Sequence, residues 1–303
     1  MRVEFRGCPL DPRTSTLIFS GMHWVHASGV MRLDRPRLIG IINITPDSFS
    51  DGGRLKSLDE ARRLVDQVIA EGADVVDIGA ESTRPGASPV AVDEELRRVI
   101  PVIAAAVEAH PGVPVSVDTV KARVAREALA VGASIVNDVS AMRLDPEMAS
   151  TVAGSSAGVV LMHSRGDVAY MASYSYAQYR DDVMGDVVHE LGTQLDIAMA
   201  AGVPRERIVL DPGVGFAKRG AQSLAVLRGL ERLMALGCPV LVGVSRKRFI
   251  GEITLAASPA ERLAGTIGAN VAALERGARL FRVHDVKPNR EALDVAWAIR
   301  GGA

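Results

Sequence analysis

The 303-residue chain is 48% hydrophobic and 23% charged, with a formal net charge of −1. That balance argues against a nucleic-acid partner, which calls for a basic surface, and against an acidic solvating tail. The two cysteines, Cys8 and Cys238, form no CxxC pair and so make neither a disulfide framework nor a zinc site. No apolar run approaches the roughly 20 residues of a membrane span, and no secretory pattern opens the chain. A soluble cytoplasmic protein is expected.

Residues 1–36 carry five arginines and three prolines with weak periodicity. They read as a partly ordered arm covering the bottom of the unit formed by residues 37–303. A partner-binding arm is the alternative. From residue 38 onward, short apolar runs alternate with longer amphipathic ones. The apolar runs are 38–45, 74–79, 114–119, 135–140, 158–164, 208–213, 239–245 and 280–286. Rich in Val and Ile and without clean polar alternation, they predict strands buried on both faces of a parallel sheet. Helical patterns lie between them at 58–71, 92–110, 121–130, 181–201, 223–236, 259–276 and 291–300.

Gly72, Gly132, Gly202, Gly237 and Gly277 each close a helical pattern just before an apolar run. Glycine supplies the left-handed residue that follows a helix C-terminus. Eight repeats of one βα unit predict a closed (β/α)8 TIM barrel with a short N-terminal extension. A doubly wound open sheet is the alternative, but its usual five or six strands fit less well.

Barrel enzymes carry their sites at the C-terminal ends of the strands. There this sequence places polar residues where a buried strand should have none: Asn43, Asp118, Asn137, Asp138, Asp211, Arg282 and His284, with Ser245, Arg246 and Lys247 ending the seventh run. One such group reads as a structural ion pair. A ring of them at matching strand ends reads as a site, because ionisable groups are costly to bury without partner or ligand. Three loops join it, at 45–53, 81–86 and 211–218, each of which alone would pass as a surface loop.

Arg84, Arg282, His284 and Lys247 form a cationic set suited to phosphate or pyrophosphate. No carboxylate cluster offers a metal cage, whereas a single amide, Asn43, suits a Mg²⁺ that keeps its waters and takes other ligands from phosphates. Asp118, Asn137 and Asp211 suit a flat heterocycle with adjacent N–H donors, since a carboxylate accepts two parallel hydrogen bonds. No Ser-His-Asp set, cysteine nucleophile or GxGxxG turn is present. The inventory serves heterocycle binding and stabilisation of a departing anion.

Asn-Ile-Thr-Pro-Asp-Ser-Phe-Ser-Asp-Gly-Gly at 43–53 closely resembles the first signature of the dihydropteroate synthases, and Asp-Ile-Gly-Ala-Glu-Ser-Thr-Arg-Pro-Gly at 77–86 the second. Val117-Asp118-Thr119, Val136-Asn137-Asp138, Leu161-Met162-His163, Asp211-Pro212-Gly213, Ser245-Arg246-Lys247 and Arg282-Val283-His284-Asp285 look like the rest, in family order. The resemblance spans about 38–300. It implies condensation of 6-hydroxymethyl-7,8-dihydropterin pyrophosphate with p-aminobenzoate, pyrophosphate leaving first, with Mg²⁺ as cofactor and a homodimer as assembly.

By the same resemblance, Asp118, Asn137, Met162, Asp211, Lys247 and Arg282 hold the pterin. Phe49, Thr83, Arg84, Pro85, Phe216 and Lys247 border the p-aminobenzoate site. Asn43, Thr83, Arg84, Arg282 and His284 hold pyrophosphate, with Asn43 on the metal. Asn43, Arg84, Lys247, Arg282 and His284 make the catalytic set. Arg248 departs from members with a small hydroxyl residue there and reads as facing solvent. Two rivals remain at this level: methyltetrahydrofolate-binding methyltransferases, which need no pyrophosphate site, and a non-catalytic pterin-binding barrel.

Overall fold

The computed structural model describes residues 21–44, 58–82 and 89–301. An antiparallel hairpin opens it, β1 (His23–His26) paired with β2 (Gly29–Arg32). Then β3 (Arg37–Asn43), α1 (Leu58–Ala70), β4 (Val75–Gly79), α2 (Val92–Ala109), β5 (Val115–Asp118), α3 (Ala122–Ala130), β6 (Ile135–Asp138) and α4 (Met148–Ala153) follow. β7 (Gly158–Met162), α5 (Val183–Ala200), β8 (Ile208–Asp211), α6 (Gly220–Arg228), α7 (Leu230–Met234) and β9 (Leu241–Val242) continue the alternation. The chain ends on α8 (Arg248–Thr254), α9 (Leu263–Glu275), β10 (Leu280–Val283) and α10 (Val286–Ile299).

The eight strands β3 to β10 are parallel and lie in the order β8-β7-β6-β5-β4-β3-β10-β9. A parallel bridge between Leu210 and Val240 joins the two outer strands, so the sheet closes on itself as a (β/α)8 barrel. Each strand is buried on both faces. Leu38, Ile42, Val76 and Ile78 pack outward against Val65, Val68, Val99 and Ile103 of the helices. Ile39, Val75, Ile135, Val160, Val209, Leu241 and Leu280 point inward and fill the lower barrel.

The hairpin is the floor beneath that layer. Trp24 is fully buried among the inward residues together with Met31 and Leu33, and its indole Nε1 donates to Arg207 O at 2.9 Å. The approach needs glycine at the start of β7, where a Cβ on Gly158 would stand 2.9 Å from Trp24 Nε1. These strands lie in a segment read as irregular from sequence. The alternation of Trp24, His26 and Met31 was too short to register as a strand pattern.

The five joint glycines all adopt positive φ: +100° at Gly72, +102° at Gly132, +103° at Gly202, +80° at Gly237 and +98° at Gly277. All the strands but β4 end one to three residues earlier than the apolar runs, because at the barrel mouth the chain turns away while still carrying buried residues. The expected helix 223–236 breaks at Gly229 into α6 and α7. The expected helix 259–276 opens instead with a 3-10 turn at Pro259–Arg262, capped by Ser258. α10 starts at Val286, not 291, since Pro288 falls in its first turn, where no N–H is needed. Two short helices, α4 and α8, carried too little periodicity to be read.

Candidate active site

Register brings the polar strand ends to one level. Asn43 pairs with Gly79, Gly79 with Asp118, and Asp118 with Asn137, while Met162 pairs with Asp211 around the ring. Asn43, Asp118, Met162 and Asp211 are each the last residue of their strand. Arg282 and His284 stand on and just beyond β10, and Lys247 precedes α8 directly.

Arg282 lies at the centre. Its Nε donates to Asp77 Oδ2 at 2.6 Å and its Nη2 to Asp118 Oδ2 at 2.6 Å. Asn137 Nδ2 donates to the same Asp77 oxygen at 3.0 Å. Asp77 is fully buried, and its Oδ1 has no hydrogen-bond partner among the described residues. Burial raises the Asp118 carboxyl to about 7, Arg282 opposing and Asp77 adding. Asp77 was missed as a site residue, although an aspartate inside Val-Val-Asp-Ile-Gly is the same signal that singled out Asp138.

On the opposite side, Asp211 is 4% exposed and its Oδ1 accepts from Gly213 N at 2.7 Å. Burial pushes its pKa up, with Lys247 the largest opposing charge. Lys247 lies over the Phe216 ring, 4.4 Å from the centroid, and donates to Val214 O. Burial lowers its ammonium to about 8, Asp211 opposing and Arg282 adding. Met162, Val120, Val139, Val168 and Met171 form an apolar wall with Phe216 packed against it. A carboxylate, a cation and an aromatic ring beside that wall suit a flat polar heterocycle.

Of the expected cationic set, Arg84 lies outside the described residues. Arg282 is matched by two carboxylates, Lys247 sits with Asp211 and Phe216, and His284 Nδ1 meets Ser245 Oγ at 3.0 Å. The Ser245 hydroxyl also accepts from His284 N at 3.2 Å. Asp138 serves the scaffold. Fully buried, it accepts from Ser140 N and Met142 N, both at 2.8 Å, and from Ser140 Oγ at 2.6 Å. Phe49, Thr83, Arg84 and Pro85, with the whole 45–53 loop, lie outside the described residues.

Arg248 does more than face solvent. Its guanidinium stands 3.8 Å from the Tyr174 ring centroid, and the Tyr174 hydroxyl donates to Glu252 at 2.8 Å. Backbone strain gathers here too. Ala141, Met142, Ala217 and Arg246 all have positive φ, between 47° and 64°. Ala217 and Arg246 border Phe216 and Lys247, and such strain persists where surrounding bonds over-determine it.

The sequence profile of the pterin binding enzymes matches residues 39–284. A Bacillus subtilis dihydropteroate synthase is 46% identical over 254 residues, 84% of this chain and 85% of that protein. The structure is similar to Xanthomonas albilineans dihydropteroate synthase with 4-aminobenzoic acid: TM-score 0.83 and 47% identity, covering 89% of this chain and 95% of that one. A second structure of that enzyme, in complex with 7,8-dihydropteroate, gives a TM-score of 0.80 at 42% identity, with coverage of 93% and 97%. Fold and site are those of a pterin-binding barrel enzyme. Within that class, the chain belongs to the dihydropteroate synthase family, and it is a transferase.

Proposed function

We propose that the barrel mouth joins a dihydropterin pyrophosphate to p-aminobenzoate and releases pyrophosphate. The observation that carries this reading is the convergence of Asp118, Asn137 and Asp211 with Lys247 and Arg282 around one apolar wall. Asp211 and Asn137 take the polar edge of the pterin, Met162 lies against its face, and Arg282 spans the ring beside Asp118. Asn43, Arg282 and His284 hold the pyrophosphate, joined by Thr83 and Arg84. Phe216 and Lys247 border the p-aminobenzoate pocket, which Phe49, Thr83, Arg84 and Pro85 complete.

Bond breaking sends the C–O electron pair onto the departing pyrophosphate and leaves positive charge on the pterin methylene. The buried Asp211 carboxyl and the Asp118 carboxyl held by Arg282 face that charge. The aryl amine then forms the C–N bond and gives up one proton. No residue here acts as a covalent nucleophile. Positioning and preorganised charge provide the catalysis.

Mg²⁺ fits the donors present. The described residues hold no group of three His, Cys, Asp or Glu for a protein-built cage. Asn43, exposed at the end of β3, offers one neutral amide oxygen to an ion that keeps its waters and arrives on phosphates. When bound, the ion neutralises charge on the leaving pyrophosphate.

The proposed catalytic unit is 37–303; of the segment before it, residues 21–36 are described and contain the hairpin beneath the barrel. No described helix is long and apolar enough to cross a membrane, and a cytoplasmic setting suits these small polar substrates. A homodimer follows the family expectation and is open to sedimentation measurement. The decisive test of activity is pyrophosphate release. Pyrophosphate release matched by dihydropteroate formation when both substrates are present supports the reading, whereas no dihydropteroate formed with both substrates present overturns it.

A further inference from the structure

Asp211 is followed by a turn that hangs on a buried lysine. Lys218 is 1% exposed, and its Nζ lies 2.8 Å from His163 Nδ1, 3.0 Å from Gly213 O and 3.1 Å from Phe216 O. Three acceptors surround Nζ, and burial, with Lys247 adding, holds the ammonium well below the usual lysine range. His163 Nε2 lies 3.0 Å from Glu190 Oε2, so the ring donates there and accepts from Lys218. Burial, with Lys218 adding, lowers His163 to about 4 and keeps that ring neutral.

The turn itself is unfavourable without such a tie. Gly213 and Gly215 have φ of +63° and +80°, and Ala217 has +47°. A Cβ on Gly213 would stand 1.8 Å from His163 O, so the chain can pass only as glycine. His163 N also donates to Asp211 O at 2.8 Å, which locks β7 to the last residue of β8. Lys218 closes this frame from below. Asp211, Lys247, Arg165 and Glu190 are the charges facing it, and the Tyr179 ring lies 5.8 Å away.

We propose that Lys218 is a positioning residue for the heterocycle subsite. By drawing Gly213 O and Phe216 O to one point, it fixes the turn that follows Asp211 and so orients that carboxylate at the barrel mouth. This rests on the reading of Asp211 as the acceptor for the pterin edge.

The test is calorimetric affinity for 6-hydroxymethylpterin in full-length Lys218→Met and Lys218→Gln, with steady-state KM for p-aminobenzoate and thermal melts alongside. Gln keeps N–H donors at shorter reach. Pterin affinity should fall at least tenfold in Lys218→Met and by less in Lys218→Gln, while KM for p-aminobenzoate changes under threefold. If Lys218→Met does not fold, Lys218→Gln decides on the same split. Pterin affinity within twofold of wild type in a folded variant overturns the proposal, as does an equal loss for both substrates. Asp211→Asn is the control. If it leaves pterin affinity intact, the pocket reading fails; if it weakens affinity while the Lys218 variants do not, only the lysine's role fails.

Discussion

Arg282 and Asp118, 164 residues apart in the chain, meet at 2.6 Å across the barrel mouth. The contact holds the guanidinium extended, since its Nε is fixed at the same time on Asp77 at 2.6 Å. A planar fork reaching two carboxylates on β4 and β5 defines a direction that a lysine cannot. The fork therefore has a fixed direction at the barrel mouth, and the ion pairs serve orientation as much as stability.

Arg282→Ala should lower kcat far more than it changes KM for p-aminobenzoate, because the charge it balances develops as pyrophosphate departs. Leaving Asp77 buried and unpaired should also cost about 3–5 kcal/mol of stability. Arg282→Lys should rescue only in part. Steady-state kinetics and denaturant melts check both, and an effect confined to KM for p-aminobenzoate would contradict the assignment. His284→Ala should show the same kinetic split without the stability loss.

Asp211→Asn should weaken pterin binding by one to two decades, about 1.5–3 kcal/mol, with the fold intact. An amide cannot accept two hydrogen bonds from the pterin edge and presents a mismatched donor. Calorimetry on the folded variant measures this directly, and unchanged affinity would remove Asp211 from the pocket.

Asp118 makes stability depend on pH. Burial, with Arg282 opposing, raises its folded carboxyl from 3.8 to about 7. Between those values the folded state holds a proton that the unfolded state has lost. The contribution is therefore fully present below pH 3.8 and disappears as pH rises through about 7. Asp118→Asn lacks that dependence. Its Tm relative to wild type should climb as pH goes from 4 to 7, even as catalysis falls. A Tm difference that stays flat across that window would mean Asp118 is not held high.

The hairpin floor is testable by stability alone. Trp24→Ala should cost roughly 3–5 kcal/mol, the range for emptying a buried aromatic site. Trp24→Phe keeps most of the volume but leaves Arg207 O without its indole donor, at about 1–3 kcal/mol. Chemical denaturation should rank wild type above Phe above Ala. An Ala variant as stable as wild type would mean the hairpin does not close the barrel.

The eight strands of the barrel and the five joint glycines were legible from order alone, whereas the helix between β6 and β7 was not. Strand burial and helix termination are local problems, answered by Val-Ile runs and by glycine after each helix. Asn43, Asp118, Asn137 and Asp211 stood out as polar groups at or near the ends of otherwise apolar runs. Pairing was not legible. Which carboxylates hold Arg282, why Asp138 belongs to a turn and Asp77 to the site, and how Lys218 ties down the Asp211 turn depend on strand register around a closed ring. That register sets neighbours between residues dozens to hundreds of positions apart, where no local pattern records the contact. The hairpin under the barrel escaped for the same reason: four-residue strands show no periodicity of their own, and Trp24 is buried only because seven distant strands supply the layer it closes.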